Sequence, residues 1–294
     1  MSESVSSFMP GLELSQHFFM EVVAPILARE FPELRYAAAR LGAGSEVLGY
    51  DTPRSTDHDW GPRLQLFLAR NDYEELSEAI NEALRQQLPR RYLGYSTHFG
   101  PQDEEGTRLL ADTDGPVDHR VEIWTLPQFL ENTIAYDPRQ EPTVWDWLAW
   151  PQQHLLAVTA GAVFRDDRGE LQEIRDRLRY YPRDVWLYLL AAQWARIGQE
   201  EHFVGRTGEV GDDIGSRLLA ARLVHDLMQL CFLMEKTYFP YPKWFGSAFA
   251  ELECARSLTP LLQGVLNAKN WQERESHLSK AYEIVAARHN ALGL

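Results

Sequence analysis

The chain has 294 residues, enough for about two domains at the usual ~150 residues each and for a sizeable core. Its 29 Lys and Arg stand against 43 Asp and Glu, a formal net charge of −14, and 45% of the residues are apolar. That balance excludes a disordered polar tail and a basic nucleic-acid coat, argues against extended nucleic-acid binding, and favours small or cationic partners.

The N-terminus lacks a basic segment followed by a long apolar core, so no leader is expected. Leu12, Phe18, Phe19, Val22, Val23, Ile26 and Leu27 recur at helical spacing and predict an amphipathic helix over 11–30. A short strand follows at 35–42, then a Gly-Ser turn opening a brief helix, then a loop at 50–56 broken by Pro53. Alternation resumes over 57–69, read as a second strand, with Leu64, Leu66 and Leu68 on one face. A helix is expected over 72–88, a Gly- and Asp-rich loop over 100–116, and a third strand over 119–125. Strands and helices in this order predict an α/β domain.

Beyond Pro142 the pattern changes. The segments 145–159, 171–180, 185–197, 214–238, 245–257 and 271–292 carry 3.6-residue periodicity with no convincing strand between them, which predicts an all-α helical bundle. The expected division is 1–150 and 151–294, with a cleft between the two. Cys231 and Cys254 lie in apolar helical stretches outside any Cys-x-x-Cys, and read as core thiols of a reduced, cytoplasmic protein. No apolar run nears the ~18 residues of a membrane span, so no membrane partner is expected.

Most of the chemistry lies in residues 43–60, Ala-Gly-Ser-Glu-Val-Leu-Gly-Tyr-Asp-Thr-Pro-Arg-Ser-Thr-Asp-His-Asp-Trp. A Gly44-Ser45 turn leading into a helix offers backbone N–H groups and a hydroxyl to an anion, and phosphate is the natural occupant. Asp57 and Asp59, two apart on a strand, would point to one face ~6–7 Å apart and converge on one hard cation. Glu122, between Val121 and Ile123 on another strand, would add a third carboxylate. Three acids on one sheet face repel unless neutralised, which points to Mg²⁺. Two such ions ~4 Å apart would activate an attacking hydroxyl and steady a leaving pyrophosphate.

These residues resemble the nucleotidyltransferase superfamily related to DNA polymerase beta, whose pattern is Gly-Ser, then Asp-x-Asp, then a hydrophobic–acidic–hydrophobic strand. Gly44-Ser45, Asp57-His58-Asp59 and Val121-Glu122-Ile123 fill it in order. More narrowly the chain looks like the bacterial DUF4037 family of nucleotidyltransferase-like proteins, through Arg54-Ser-Thr-Asp-His-Asp-Trp-Gly61, Val204-Gly-Arg206, Gly211-Asp212, Ala221-Arg-Leu-Val224 and Tyr241-Pro-Lys-Trp-Phe-Gly246. The resemblance implies an α+β nucleotidyltransferase domain with a small mixed sheet, followed by the helical domain. It also implies Mg²⁺ on Asp57, Asp59 and Glu122, with NMP moved from an NTP, ATP foremost, to an acceptor hydroxyl. Glu122 would be base for that hydroxyl with some ligand character, as in antibiotic nucleotidyltransferases.

The position between the two aspartates is usually apolar and here is His58, expected to be half-buried and bonded to a neighbouring element. Lys243, in a loop-like break, and Arg206 are candidates to neutralise the triphosphate from the second domain, against the alternative of solvated surface cations. Arg217 and Arg222 read as salt-bridged supports, and Trp60 and Trp244 as core or as stacking surfaces. The acidic run 199–202 and Asp212-Asp213 would suit a cationic, aminoglycoside-like acceptor, or a solvated helix end. A Ser hydrolase is set aside because Gly-Ser-Glu is no nucleophile elbow. The alternatives are transfer to tRNA or protein, and a nucleotide-binding module without catalysis.

Overall fold

The computed structural model describes residues 8–104 and 106–294. Residues 1–7, the start of the stretch read for a leader, lie outside it. The chain divides into two units, one formed by the residues up to Pro142 together with His154–Arg179, the other by Thr143–Gln153 and Tyr180–Leu294. The first unit is therefore not the continuous 1–150 expected from sequence.

In the first unit, α1 (Gly11–Phe18) and α2 (Ala24–Glu30) are joined by a π-helical turn, Phe19–Val23, across the predicted 11–30 helix. Its apolar stripe places Leu14, Phe18, Val23 and Leu27 fully inside a core shared with Leu64, Leu66, Ile80 and Leu84. The sheet is mixed and has four strands in the order β5-β2-β1-β6. They are β1 (Tyr36–Arg40), β2 (Arg63–Leu68), β5 (Arg120–Thr125) and β6 (Ala162–Asp166). β1 runs antiparallel to both β2 and β6, and β2 runs parallel to β5. Both central strands are buried along their whole length, and the three alanines of β1 keep it thin enough to be covered on both faces.

Helix α3 (Arg70–Gln87) leads from β2 into a small hairpin of β3 (Arg91–Tyr92) and β4 (Tyr95–Ser96), which turns at Leu93-Gly94 with φ of 48° and 87°. After β5 the chain enters α4 (Leu126–Ile134) at once, because Thr125 and Gln128 form a reciprocal capping box. Between them, α6 (Gln152–Thr159), β6 and α7 (Glu170–Arg177) complete the fold of this part of the chain.

The remaining elements are helices: α5 (Val144–Ala149), α8 (Arg183–Glu200), α9 (Phe203–Glu209), α10 (Asp213–Met234), α11 (Pro242–Ala250), α12 (Ala255–Asn267) and α13 (Trp271–Ala291). The core of the second unit is centred on α10, where Leu223, Leu227, Leu230, Cys231 and Phe232 are buried. Both cysteines are free and buried. No described helix is long and apolar enough to cross a membrane.

Five sequence expectations are corrected. The span 151–294 is not purely helical, since β6 lies within it and pairs with β1. The helix predicted over 145–159 is two, split at Pro151, and the one over 245–257 is α11 followed by the start of α12. The brief helix after Gly44-Ser45 is a turn, and the strand predicted from Asp57 begins only at Arg63.

Leu66 is fully buried at the centre of the sheet. Leu66→Ala is expected to cost about 2–5 kcal/mol through lost transfer energy and a residual cavity, read as a lowered urea midpoint with an unchanged slope.

Candidate active site

The Gly-Ser turn is built around a buried ion cluster. Arg40 at the end of β1 is 2% exposed, Glu46 3% and Arg63 8%. Glu46 Oε1 accepts from Arg40 Nη2 at 2.6 Å and Nε at 3.1 Å, and from Arg63 Nε at 3.0 Å. Arg40 also donates to the carbonyls of Leu41 and Ala43, the latter at 2.8 Å, so its guanidinium is the template on which the turn is wrapped. Gly44 has φ of 143°, and a side chain there would collide with the Glu46 carboxylate. Gly161, just before β6, comes so close to the Arg40 carbonyl that a Cβ would have no room, and its amide donates to Val47 O at 3.0 Å.

Burial alone would raise the Glu46 carboxyl, but the two guanidinium charges outweigh it and hold it below its ordinary range. Arg63 is pushed down to about 10 by burial and by the like charge of Arg40. Glu46, the centre of this cluster, was not singled out in the sequence; an acidic residue directly after a Gly-Ser turn, with an arginine closing the preceding strand, was the available signal.

The turn itself closes through Gly49 N to Glu46 O at 3.2 Å and Tyr50 N to Ser45 O at 2.9 Å. The amides of Gly44 and Ser45 take no part in that closure. From Leu41, between β1 and the turn, a chain of hydrogen bonds runs across the sheet. Leu41 N donates to Gln65 Oε1 at 3.0 Å, and Gln65 Nε2 donates to Glu122 Oε2 at 3.3 Å. Gln65 and Glu122 are register partners in the parallel β2–β5 pair. Trp124 Nε1 also donates to Glu122 Oε2, at 3.4 Å.

On its other side Glu122 accepts from Arg120 Nη2 at 3.4 Å, and Arg120 Nη1 donates to Asp59 Oδ1 at 2.9 Å. Two of the three predicted carboxylates therefore meet on one guanidinium. Asp59 is not on a strand. It has φ of 42°, and its amide donates to Arg108 O at 3.0 Å. Arg108 in turn clamps its loop through Gly100 O at 2.7 Å, Phe99 O at 2.8 Å and the Asp118 carboxylate.

Asp57 departs from expectation. It ends a 3₁₀ turn, Pro53–Asp57, nucleated by a Thr52–Ser55 capping box, and its side chain is 56% exposed. Its Oδ1 meets His58 Nδ1 at 2.6 Å, and His58 is 57% exposed rather than half-buried against another element. The same-face geometry expected for Asp57 and Asp59 is thus absent. Among the described residues no group of three His, Cys, Asp or Glu is placed to hold a metal ion.

The other candidates fall elsewhere. Trp60 is buried, stacks with Phe8, meets Tyr95 edge to face, and donates to Asp51 Oδ2 at 2.9 Å, an oxygen that also receives the Gly11 amide at 2.7 Å. Lys243 is exposed on the first turn of α11 rather than in a loop, with its ammonium 4.9 Å from the Trp244 ring. Arg206 is exposed on α9. Arg217 pairs with Asp213 at 2.7 Å and Arg222 with Glu200 at 2.9 Å, as supports. Asp212 caps α10, so much of the acidity read as an acceptor surface is already engaged.

A groove of about 840 Å³ runs beside β5 and α4, lined by Tyr73, Trp124, Gln128, Glu131, Asn132 and Tyr136 among others. Trp124 belongs both to this groove and to the hydrogen-bond shell of Glu122.

Residues 147–245 match the family described as a domain of unknown function, DUF4037. Among curated proteins none matches the chain. Among solved structures, a nucleotidyltransferase-like protein from Exiguobacterium sibiricum 255-15 is similar at 11% identity, covering 94% of this chain and 75% of that one with a TM-score of 0.38.

Removing the shared charge by Glu46→Gln leaves two guanidinium groups buried without a counterion, at an expected cost of about 3–5 kcal/mol by urea denaturation. Because the folded-state Glu46 value lies below its ordinary 4.5, this stabilisation is present above that pH and is lost as pH falls through the folded value. The acid limb of the stability curve should accordingly be shallower in the variant.

Proposed function

We propose that this chain transfers a nucleoside monophosphate from an NTP, with ATP the first candidate, to a hydroxyl of a small polar or cationic acceptor, releasing pyrophosphate. The observation that carries this is the convergence of Asp59 and Glu122 on a single cationic group, Arg120, within one hydrogen-bonded network that begins at Leu41, three residues before Gly44.

Two converging carboxylates fit Mg²⁺, which is commonly held by one or two carboxylates plus substrate phosphates. Asp59 and Glu122 would hold it, with Asp57 joining only if its turn rearranges. When bound, the ion would supply charge neutralisation at the phosphates and a more acidic acceptor hydroxyl. Glu122 accepts the proton of that hydroxyl as its oxygen attacks the α-phosphorus. The new P–O bond forms as the bond to the pyrophosphate oxygen breaks, and pyrophosphate leaves with its electron pair. The Gly44 and Ser45 amides and the Ser45 hydroxyl bind phosphate, favoured by the surplus positive charge of two arginines on one glutamate beneath them. The groove beside Trp124 is of a size for a small acceptor.

One observation favours a second role, that of a nucleotide-binding module without turnover: Arg120 already satisfies both acids. Incubation with α-labelled NTPs and Mg²⁺ against panels of aminoglycosides, small metabolites and tRNA separates these. Transfer to a small molecule is expected, falling at least about 100-fold in Asp59→Asn and Glu122→Gln. Transfer persisting in both variants would overturn the assignment, and NTP binding with no transfer would select the second role.

A further inference from the structure

We propose that Arg120 is an internal counterion that closes the Asp59–Glu122 pair to a bare divalent cation and releases it when a triphosphate arrives. This builds on the nucleotidyl-transfer assignment above and adds an order to it: cation and nucleotide bind as a linked pair.

Arg120 is better covered than the acids it bridges, its side chain being 19% exposed against 34% for Asp59 and 36% for Glu122. Its guanidinium carbon lies 5.7 Å from the centre of the buried Phe99 ring, which supports it from the side. The acids cannot easily turn away from it. Asp59 is fixed by its left-handed backbone and by its amide bond to Arg108 O, and the other Glu122 oxygen is taken by Gln65 and Trp124. A cation entering this pair must therefore move Arg120.

Where Arg120 can go is set by its neighbours. It is the register partner of Arg63 across β2 and β5, and among the described residues Arg63 and Arg40 share one carboxylate, Glu46. Arginines 40, 63 and 120 are balanced by Glu46, Glu122 and Asp59. A bare divalent ion adds two positive charges to that neutral set and frees a guanidinium beside another one, which is unfavourable. A triphosphate brings its own negative charge, and its oxygens suit a planar guanidinium in two-pronged fashion. The released Arg120 then has a partner, so cation affinity and triphosphate affinity rise together, each by the same factor.

The test uses Mn²⁺ as the cation and an ATP analogue with a methylene bridge between the α and β phosphates, with water-proton relaxation reporting binary and ternary complexes of the full chain. Arg120→Gln is expected to bind Mn²⁺ alone about tenfold more tightly than the parent, and to show little further tightening with the analogue, whereas the parent gains about tenfold or more. Arg120→Lys, which keeps the charge but loses the fork, should fall between, and gives the same reading if the glutamine variant does not fold by circular dichroism. Equal or weaker Mn²⁺ binding in both variants overturns the counterion role and leaves nucleotidyl transfer standing. Absence of Mn²⁺ binding in every protein, with or without the analogue, overturns both.

Discussion

Everything at the candidate site depends on one carboxylate serving two arginines. Glu46 is buried between Arg40 and Arg63, and neither guanidinium could stay inside the first unit without it. The Arg40 side chain, so held, fixes the carbonyls of Leu41 and Ala43 and thereby the shape of the turn that carries Gly44 and Ser45. Arg63 opens β2, whose next inward polar side chain, Gln65, ties the turn to Glu122. An apolar cluster of equal volume would pack as well or better. It would not place charge under the turn or pass orientation from one strand to the next, so the arrangement is explained by position rather than by stability.

The parts of the fold legible in the sequence were those with long periodic patterns. The first helix, α3 and β5 follow from spacing that burial confirms in Phe18, Ile80 and Val121. The strand start was misjudged because Asp57, Asp59 and Leu64 to Leu68 share an apparent alternation, although Pro53, Gly61 and Pro62 already argued for turns before Arg63. β6 was missed for a different reason. Ala162–Asp166 is a five-residue edge strand, none of it deeply buried, lying between two helices, and alternation that short has no force by itself.

For the site, residue identity was more legible than geometry. Asp59 and Glu122 share one guanidinium, but the groups that join them to each other and to the residues before the Gly44-Ser45 turn are Arg120 and Gln65, which a carboxylate-centred pattern does not select. Counting acids suggested unpaired negative charge awaiting metal; in the structure Asp59 and Glu122 share Arg120, and Asp57 meets His58. The same holds for the C-terminal acids, where Asp213 faces Arg217 and Arg274, and Glu200 faces Arg222. A net charge of −14 thus says little about where negative potential is exposed.

The pairing of β1 with β6 carries a consequence for how the chain matures. Ala37 and Ala38 lie in register with Asp166 and Arg165, so a central strand completed near the start of the chain finds its second neighbour only after well over a hundred further residues have been made. On a translating ribosome the edge of β1, and the Arg40 carbonyl against which Gly161 must close, stay open through the synthesis of α3, the hairpin, β5 and α5. Such long-range closure is slow and leaves an unpaired strand edge available to other chains meanwhile. The Gly44-Ser45 turn therefore takes its final shape among the last events of folding in the first unit, even though its residues are among the first to emerge.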